Sequence, residues 1–401
     1  MTPATRSGPE RALAGVRVVA LEASVAGPFC SRILGDMGAD VIKVEKPGEG
    51  DLIRHWDAVA RGLSSGYVWL SGNKRSVTID VKHRSALEIM HRLVQRADVF
   101  VENSAPGVAD RLGLGAAEMC RLNPRLIYCS ISGYGQNGPY RDVKAYDLLI
   151  QGEAGVIGAT GYPDRPAKVA VPISDLAAAM YAALGIVLAL YQREHTGRGQ
   201  QIDIAMFDAM VSFLGYFPHY YWHRGEEPAR MGMRHHYVTP YGPYLASDGA
   251  YVNVAVATAT DWEVFCRAVL EAPELLEDPR YDTVARRVEH REALEAFVAE
   301  RFLKHPHQEW LRRLKACNLP HGEVRTISQV LSHPQALARG LIREILSPVG
   351  TIPTVGSARN LSDSPARYDR IPALGEDTEA VLRELGYDGD AVGRMRREKV
   401  I

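Results

Sequence analysis

Seventeen consecutive residues, Leu176 to Gln192, carry no charge, and Asp175 and Arg193 bracket them. A helix over Leu176–Leu190 is apolar on every side, which predicts that it lies wholly inside a core. The stretch falls short of the ~20 residues that span a bilayer, so a buried helix is expected and no membrane association. A core that surrounds such a helix requires a large domain.

The residues before it supply that domain. Short apolar runs at Val16–Leu21, Val41–Glu45, Val99–Val101 and Leu126–Ile131 read as strands. Between them, Phe29–Met37, Arg84–Arg96 and Arg111–Leu122 have helical spacing. Strands alternating with helices predict a parallel sheet covered on both faces, a Rossmann-like doubly wound α/β domain. From about Tyr216 aromatics, His, Arg and Pro dominate, followed by a strand at Tyr251–Val256 and helices at Asp261–Leu270 and Arg291–Leu303. This reads as a smaller α+β domain over 216–330. The remainder, rich in Pro and Gly, ends in an amphipathic stretch at Thr378–Leu385.

Lys plus Arg number 47 and Asp plus Glu 48, for a formal net charge of −1. That balance speaks against a nucleic-acid-coating protein, which carries a basic excess. The five cysteines are dispersed without a CxxC pair, and the first fifteen residues hold no apolar signal core. A reducing, cytoplasmic setting is the expectation.

Several formal motifs weaken in context. Gly133, Gly135 and Gly138 fit GxGxxG after a strand, but Pro139-Tyr-Arg-Asp142 follows instead of a helix. A dinucleotide fingerprint needs that helix, so neither NAD nor flavin is expected, and the segment reads as a mobile glycine loop over a site. Gly62-Leu-Ser-Ser-Gly66 fits GxSxG without the strand that a nucleophile elbow requires. His219 and His223 share a helical face near His235 and His236. A zinc site would want a further ligand in register, so no metal is expected and an aromatic–histidine wall is preferred.

Asp175 is the most informative polar residue. It stands in the first turn of the apolar helix, with Ser174 as the expected N-cap. It could simply support the cap. It could instead be a carboxylate nucleophile, kept ionised by the positive end of the helix dipole.

A set of motifs in fixed order bears on that choice: Ala26-Gly-Pro28, Gly38-Ala-Asp-Val-Ile-Lys-Val-Glu45, Asn73-Lys-Arg-Ser76, Val101-Glu-Asn103 and Asn123-Pro-Arg125. Ser132-Gly-Tyr-Gly-Gln-Asn-Gly-Pro139, Ser174-Asp-Leu176 and Thr196-Gly-Arg-Gly-Gln200 follow. With them the chain resembles the class III coenzyme A transferases, of the formyl-CoA and carnitine-CoA transferase type. The resemblance implies an interlocked, ring-like homodimer, with a large domain over 1–215 and 331–401. It places the nucleophile on Asp175. Coenzyme A contacts carry over to Val25, Ala26, Lys46, Ile79, Asp80, Val81, Lys82, Asn103 and Arg111, with Lys144 near the pantetheine arm. Tyr146 and Asp147 match positions near the reacting carbonyl. Acyl-CoA serves as substrate, and no other cofactor is implied.

The implied reaction runs through Asp175. Its attack on the thioester gives a mixed anhydride and CoA thiolate, and the thiolate returns to form an aspartyl-CoA thioester. The acceptor carboxylate then displaces the thiolate, which takes the new acyl group. N–H groups of the Gly133–Gly135 loop are the expected oxyanion donors. A related α-methylacyl-CoA racemase would need a histidine where Tyr146 stands, and tyrosine, with a pKa of about 10, is a poor base near neutrality.

The small-domain glycine loop of formyl-CoA transferases has no counterpart. Met231-Gly-Met-Arg-His-His236 stands there and resembles mesaconyl-CoA C1–C4 transferases. Arg224, Arg230, Arg234, His235 and His236 form either a solvated basic face or a clamp for a second carboxylate. A clamp would suit C4 or C5 dicarboxylates such as mesaconate, citramalate, malate, itaconate or succinate. Intramolecular mesaconyl-CoA C1–C4 transfer is the expectation, with succinyl-CoA-dependent transfer to malate, citramalate or itaconate as the alternative.

Overall fold

The computed structural model describes residues 11–401. They form two compact units, one built from the chain up to Val156, Val169–Gly215 and Pro334–Ile401, the other from Ile157–Lys168 and Tyr216–His333. The short piece Ile157–Lys168 belongs to the second unit, whereas the sequence reading began that unit at 216.

The first unit is a mixed α/β body around six parallel strands: β1 (Arg17–Leu21), β2 (Asp40–Glu45), β3 (Lys74–Thr78), β4 (Val99–Glu102), β5 (Ile127–Ser132) and β6 (Gln201–Ala205). Their order is β3-β2-β1-β4-β5-β6. The chain therefore reverses its direction across the sheet between β1 and β4. In open α/β sheets, ligands bind beyond the strand C-termini at such a switch point.

Helices α1 (Ala26–Asp36), α2 (Ala86–Gln95), α3 (Asp147–Glu153), α4 (Ile173–Thr196) and α5 (Met206–Phe213) connect or cover the strands. One face of the sheet packs Val18, Ala20, Val101 and Cys129 against α1, α4 and α5. The other packs Val19, Ile42, Phe100 and Tyr128 against α2 and against Val381, Leu382, Val392 and Val400 of the C-terminal tail. The tail thus completes this core with helices at Thr378–Glu384 and Gly389–Arg397, the second of which the sequence reading lacks. The helix expected over Arg111–Leu122 is two, Val108–Arg111 and Ala116–Leu122, broken where Gly113 adopts φ +71°.

Helix α4 is only half buried. Ala178, Ala182 and Ile186 lie in the core, while Met180, Leu184, Val187, Leu188 and Tyr191 are exposed. The expectation of burial on every side fails for this chain alone, because the sheet covers one side of the helix. Alone among the described helices it is long and apolar enough to cross a membrane by length and composition. It ends at Gly197, whose φ of +71° suits an αL cap and whose N–H donates to the Arg193 carbonyl at 2.8 Å.

The second unit pairs β7 (Tyr241–Leu245), β8 (Tyr251–Ala255) and β9 (His321–Glu323) in an antiparallel sheet ordered β9-β8-β7. Helices including Arg291–Phe302 and His307–Ala316 cover it around Val252, Trp262, Phe265, Val298 and Trp310.

Candidate active site

The loops at the switch point are built on buried charge. Glu22, Lys43 and Lys74 are essentially inaccessible. Lys74 Nζ donates to Glu22 Oε1 at 2.7 Å and to the Pro28 carbonyl at 2.9 Å. Lys43 Nζ donates to Asp51 Oδ2 at 2.7 Å, and Asp51 Oδ1 accepts the Ser24 N–H at 3.0 Å. Burial alone would raise the Glu22 carboxyl, but Lys74 and Lys43 hold it below the ordinary range. Burial pulls Lys74 down to about 8 despite the attraction of Glu22. These ions therefore grip the backbone between β1 and α1.

Asn103 grips it from β4. Its Oδ1 accepts the Ala23 N–H at 2.9 Å and its Nδ2 donates to the Ala23 carbonyl at 2.8 Å. Gly27 is required by this closeness, since a Cβ there would stand 2.9 Å from Glu22 Cβ and 3.0 Å from Asn103 Cγ. The motifs at 26–28, 73–76 and 101–103 thus meet in one construction. Within the third strand motif, Ser76 Oγ donates to Glu45 Oε2 at 2.6 Å, and Asn73 Nδ2 donates to Asp36 Oδ1 at 2.7 Å.

A cavity of about 250 Å³ opens beside this loop. Asp175 lines it together with Ala26, Asn103, Gly133, Arg141, Lys144 and Tyr146. Ser174 is not the helix cap. Pro172 takes that position without a side-chain bond, and Ser174 is held from elsewhere in the unit. Asp147 Oδ1 accepts the Ser174 N–H at 3.0 Å and its hydroxyl at 2.8 Å. Asp147 Oδ2 accepts from Gln151 Nε2 at 2.8 Å, and Gln151 Oε1 accepts the Val169 N–H at 2.8 Å. Helix α3 therefore fixes the approach to α4.

The protonation of Asp175 also differs from expectation. Burial pushes its carboxyl up to about 7, the charge of Asp147 adds to the rise, and the Ala26 backbone N–H opposes it. A helix dipole contributes ~0.3–1 kcal/mol. That is too little against the ~4 kcal/mol that such a rise represents. Asp175 is thus poised between acid and carboxylate near neutrality, and the Ala26 N–H is the donor that favours its charged form.

The glycine loop is tied down. The Gly135 N–H donates to Ser132 Oγ at 3.0 Å and the Gln136 N–H to Asp203 Oδ2 at 3.1 Å. These two groups are committed within the protein, whereas Gly133, from the same loop, lines the Asp175 cavity.

The other sequence-derived residues distribute as follows. Val25 is buried at the α1 N-cap. Lys46 follows β2 at the surface, with Nζ on Glu49 Oε1 at 2.6 Å. Ile79 is buried after β3, and the Asp80 N–H donates to the Val400 carbonyl at 2.8 Å. Val81 is half-buried and Lys82 exposed beyond them, and Arg111 is exposed at the end of its short helix. Each of these follows the C-terminal end of a strand. Gln151 and Arg141 were absent from the sequence reading. Only the helical register of Asp147 and Gln151, i and i+4, hinted at the first.

Arg234, His235 and His236 belong to the second unit. Arg234 Nε lies 3.6 Å from Glu295 Oε2. His235 Nδ1 accepts the Tyr237 N–H at 3.1 Å, and His236 Nε2 lies 2.8 Å from the Ala229 carbonyl. Arg230 spends its fork on the carbonyls of Tyr162, Gly158 and Pro163. Tyr216, Phe217, Tyr220, Tyr237 and the two histidines pack ring against ring, the wall that the sequence suggested. Among the described residues, no group of three His, Cys, Asp or Glu side chains could hold a metal ion.

The sequence matches CoA-transferase family III over residues 13–378. It is 34% identical to a protein of Homo sapiens named succinyl-CoA:glutarate CoA-transferase, covering 97% of this chain and 90% of that one. It is 34% identical to an acetyl-CoA:oxalate CoA-transferase of Acetobacter aceti, over 96% and 98%. It is also 34% identical to a succinyl-CoA–D-citramalate CoA-transferase of Chloroflexus aurantiacus, over 98% and 99%. The crystal structure of a CAIB/BAIF family protein from Brucella suis superposes with a TM-score of 0.83 at 36% identity, covering 94% of this chain and 99% of that one.

Proposed function

The chain belongs to CoA-transferase family III, and we propose that it moves coenzyme A between dicarboxylates with Asp175 as the nucleophile. The observation that carries this reading is Asp175 itself, in a cavity at the switch point and within reach of the Ala26 N–H. In its ionised form the carboxylate attacks the donor thioester, and the sequence of anhydride, aspartyl-CoA thioester and new acyl-CoA follows. The Ala26 N–H holds the attacking oxygen in place. A substrate that fills the cavity keeps water from the anhydride.

C4–C5 dicarboxylates are the proposed substrates. Relatives named for succinyl-CoA with glutarate and with D-citramalate support succinyl-CoA-dependent transfer between molecules. Mesaconyl-CoA C1–C4 transfer within one molecule is the second reading, resting on Met231–His236. A panel of acyl-CoAs incubated with and without free acids, followed by mass spectrometry, separates the two. New acyl-CoAs that form only when an acid is added support the first, and isomerisation of mesaconyl-CoA without acid supports the second. Turnover of no acyl-CoA, or solvent deuterium at the α-carbon without transfer, would overturn both.

A homodimer in the cytoplasm belongs to the same reading. The apolar side of α4, with Leu184 at 55% and Tyr191 at 69% exposure, supports a second copy as its cover. Sedimentation at a single monomer mass across micromolar concentrations would contradict it.

A further inference from the structure

Arg111 and Arg141 converge on one point. A Cβ on Gly107 would stand 3.1 Å from an Arg111 terminal nitrogen and 3.4 Å from one of Arg141. Like charges brought this close usually share a carboxylate. Here neither guanidinium has a carboxylate within 4.0 Å, and neither side chain makes a hydrogen bond to the described residues. Arg141 Nε is moreover buried without a partner. A buried donor left in this state is unfavourable unless something fills it.

The position narrows what could do so. Arg141 lines the Asp175 cavity along with Ser104, Ala105 and Pro106, which lead from β4 to Gly107. Two unspent forks at the cavity edge suit a multiply charged, tetrahedral oxyanion, which accepts from several donors at once. The basic cluster of the second unit differs in this respect, because Arg230 is already consumed by backbone carbonyls.

We propose that Arg141 is a phosphate-recognition residue, pairing with Arg111 across Gly107 to hold a phosphoryl group of the coenzyme A substrate. This rests on the functional reading above and adds to it a residue outside the resemblance. The shared ligand chemistry is a phosphate ester, from either the diphosphate bridge or the ribose 3′-phosphate. The acyl carboxylate is not its ligand.

Calorimetric titration of the full-length protein with CoA, 3′-dephospho-CoA and 3′,5′-ADP, without any acid present, tests this. Arg141→Gln should weaken CoA at least tenfold, and Arg141→Lys, which keeps the charge but not the fork, should fall between. A penalty that vanishes with dephospho-CoA assigns the 3′-phosphate, and one that persists assigns the diphosphate. Circular dichroism and Tm matching the wild type confirm that each variant is folded. Binding of CoA by Arg141→Gln within twofold of wild type overturns the proposal and leaves the transferase reading intact. So does a rise in KM confined to the free dicarboxylate. A wild type that binds neither CoA nor 3′,5′-ADP overturns both.

Discussion

The two units each use buried ions to pin a backbone segment, and they differ in what is left over. In the first, Glu22, Lys43, Lys74 and Asp51 pair with one another and hold the loop before α1. Among the described residues, the cavity cations Arg141 and Lys144 have no carboxylate partner. In the second, Glu295 takes the Tyr244 hydroxyl at 2.8 Å and the Thr239 hydroxyl, while Arg291 donates to the carbonyls of His235 and His236 at 2.8 and 2.9 Å. There the conspicuous basic residues are spent on holding their own chain. A count of positive side chains finds the second region, and an inventory of unspent donors finds the first.

The largest effect expected from breaking this contrast is at Glu22. Glu22→Ala leaves Lys74 buried without its counter-charge and should cost about 3–5 kcal/mol in urea unfolding. A loss below about 1 kcal/mol would mean that the cluster does not hold the loop.

Asp175 should behave oppositely. Its carboxyl titrates at about 7 in the folded protein and near 3.9 in an unfolded chain. Between those values the folded state keeps a proton that the unfolded state releases, so stability falls as pH rises through the window. The full cost is present above about pH 7. Asp175→Asn should therefore stabilise the protein by about 2 kcal/mol at pH 8, after allowance for residual solvent contact, and by almost nothing at pH 4. Stabilisation that is equal at both pH values would contradict the linkage.

Asp147→Asn keeps an acceptor for Ser174 and removes the like charge. The pH midpoint of kcat/KM, expected near 7 with activity rising toward higher pH, should move down by about 1 unit. A midpoint that stays or rises refutes the role given to Asp147. The smallest effect is at Arg230. Its replacement by Ala should lower stability by about 1 kcal/mol and leave the KM for acyl-CoA within twofold.

Much of the first unit was legible because apolar strands alternate with helices. Two strands were not. Lys74–Thr78 begins with two cations, and Lys74 is tolerated in the sheet only because Glu22 meets it. Gln201–Ala205 is an edge strand with exposed Gln201 and Asp203 and carries little apolar signal. Asp175 was found from its place on the helix, but its protonation was not, because the burial that raises it, and the Asp147 charge and Ala26 N–H that modify it, come from segments far away in sequence. The burial of α4 was overstated for a related reason. Sequence gives the apolarity of a helix and leaves open what covers each side. Arg141 escaped notice because its distinction is the absence of a partner, which has no local sequence pattern.

The central claim is that Asp175 becomes covalently acylated. Rapid mixing of the wild-type enzyme with succinyl-CoA, quenching into hydroxylamine and peptide mass spectrometry should yield a hydroxamate on Asp175 and on no other carboxylate. An enzyme that turns over while Asp175 stays unmodified, or an Asp175→Ala variant that retains full transferase activity, would contradict the account.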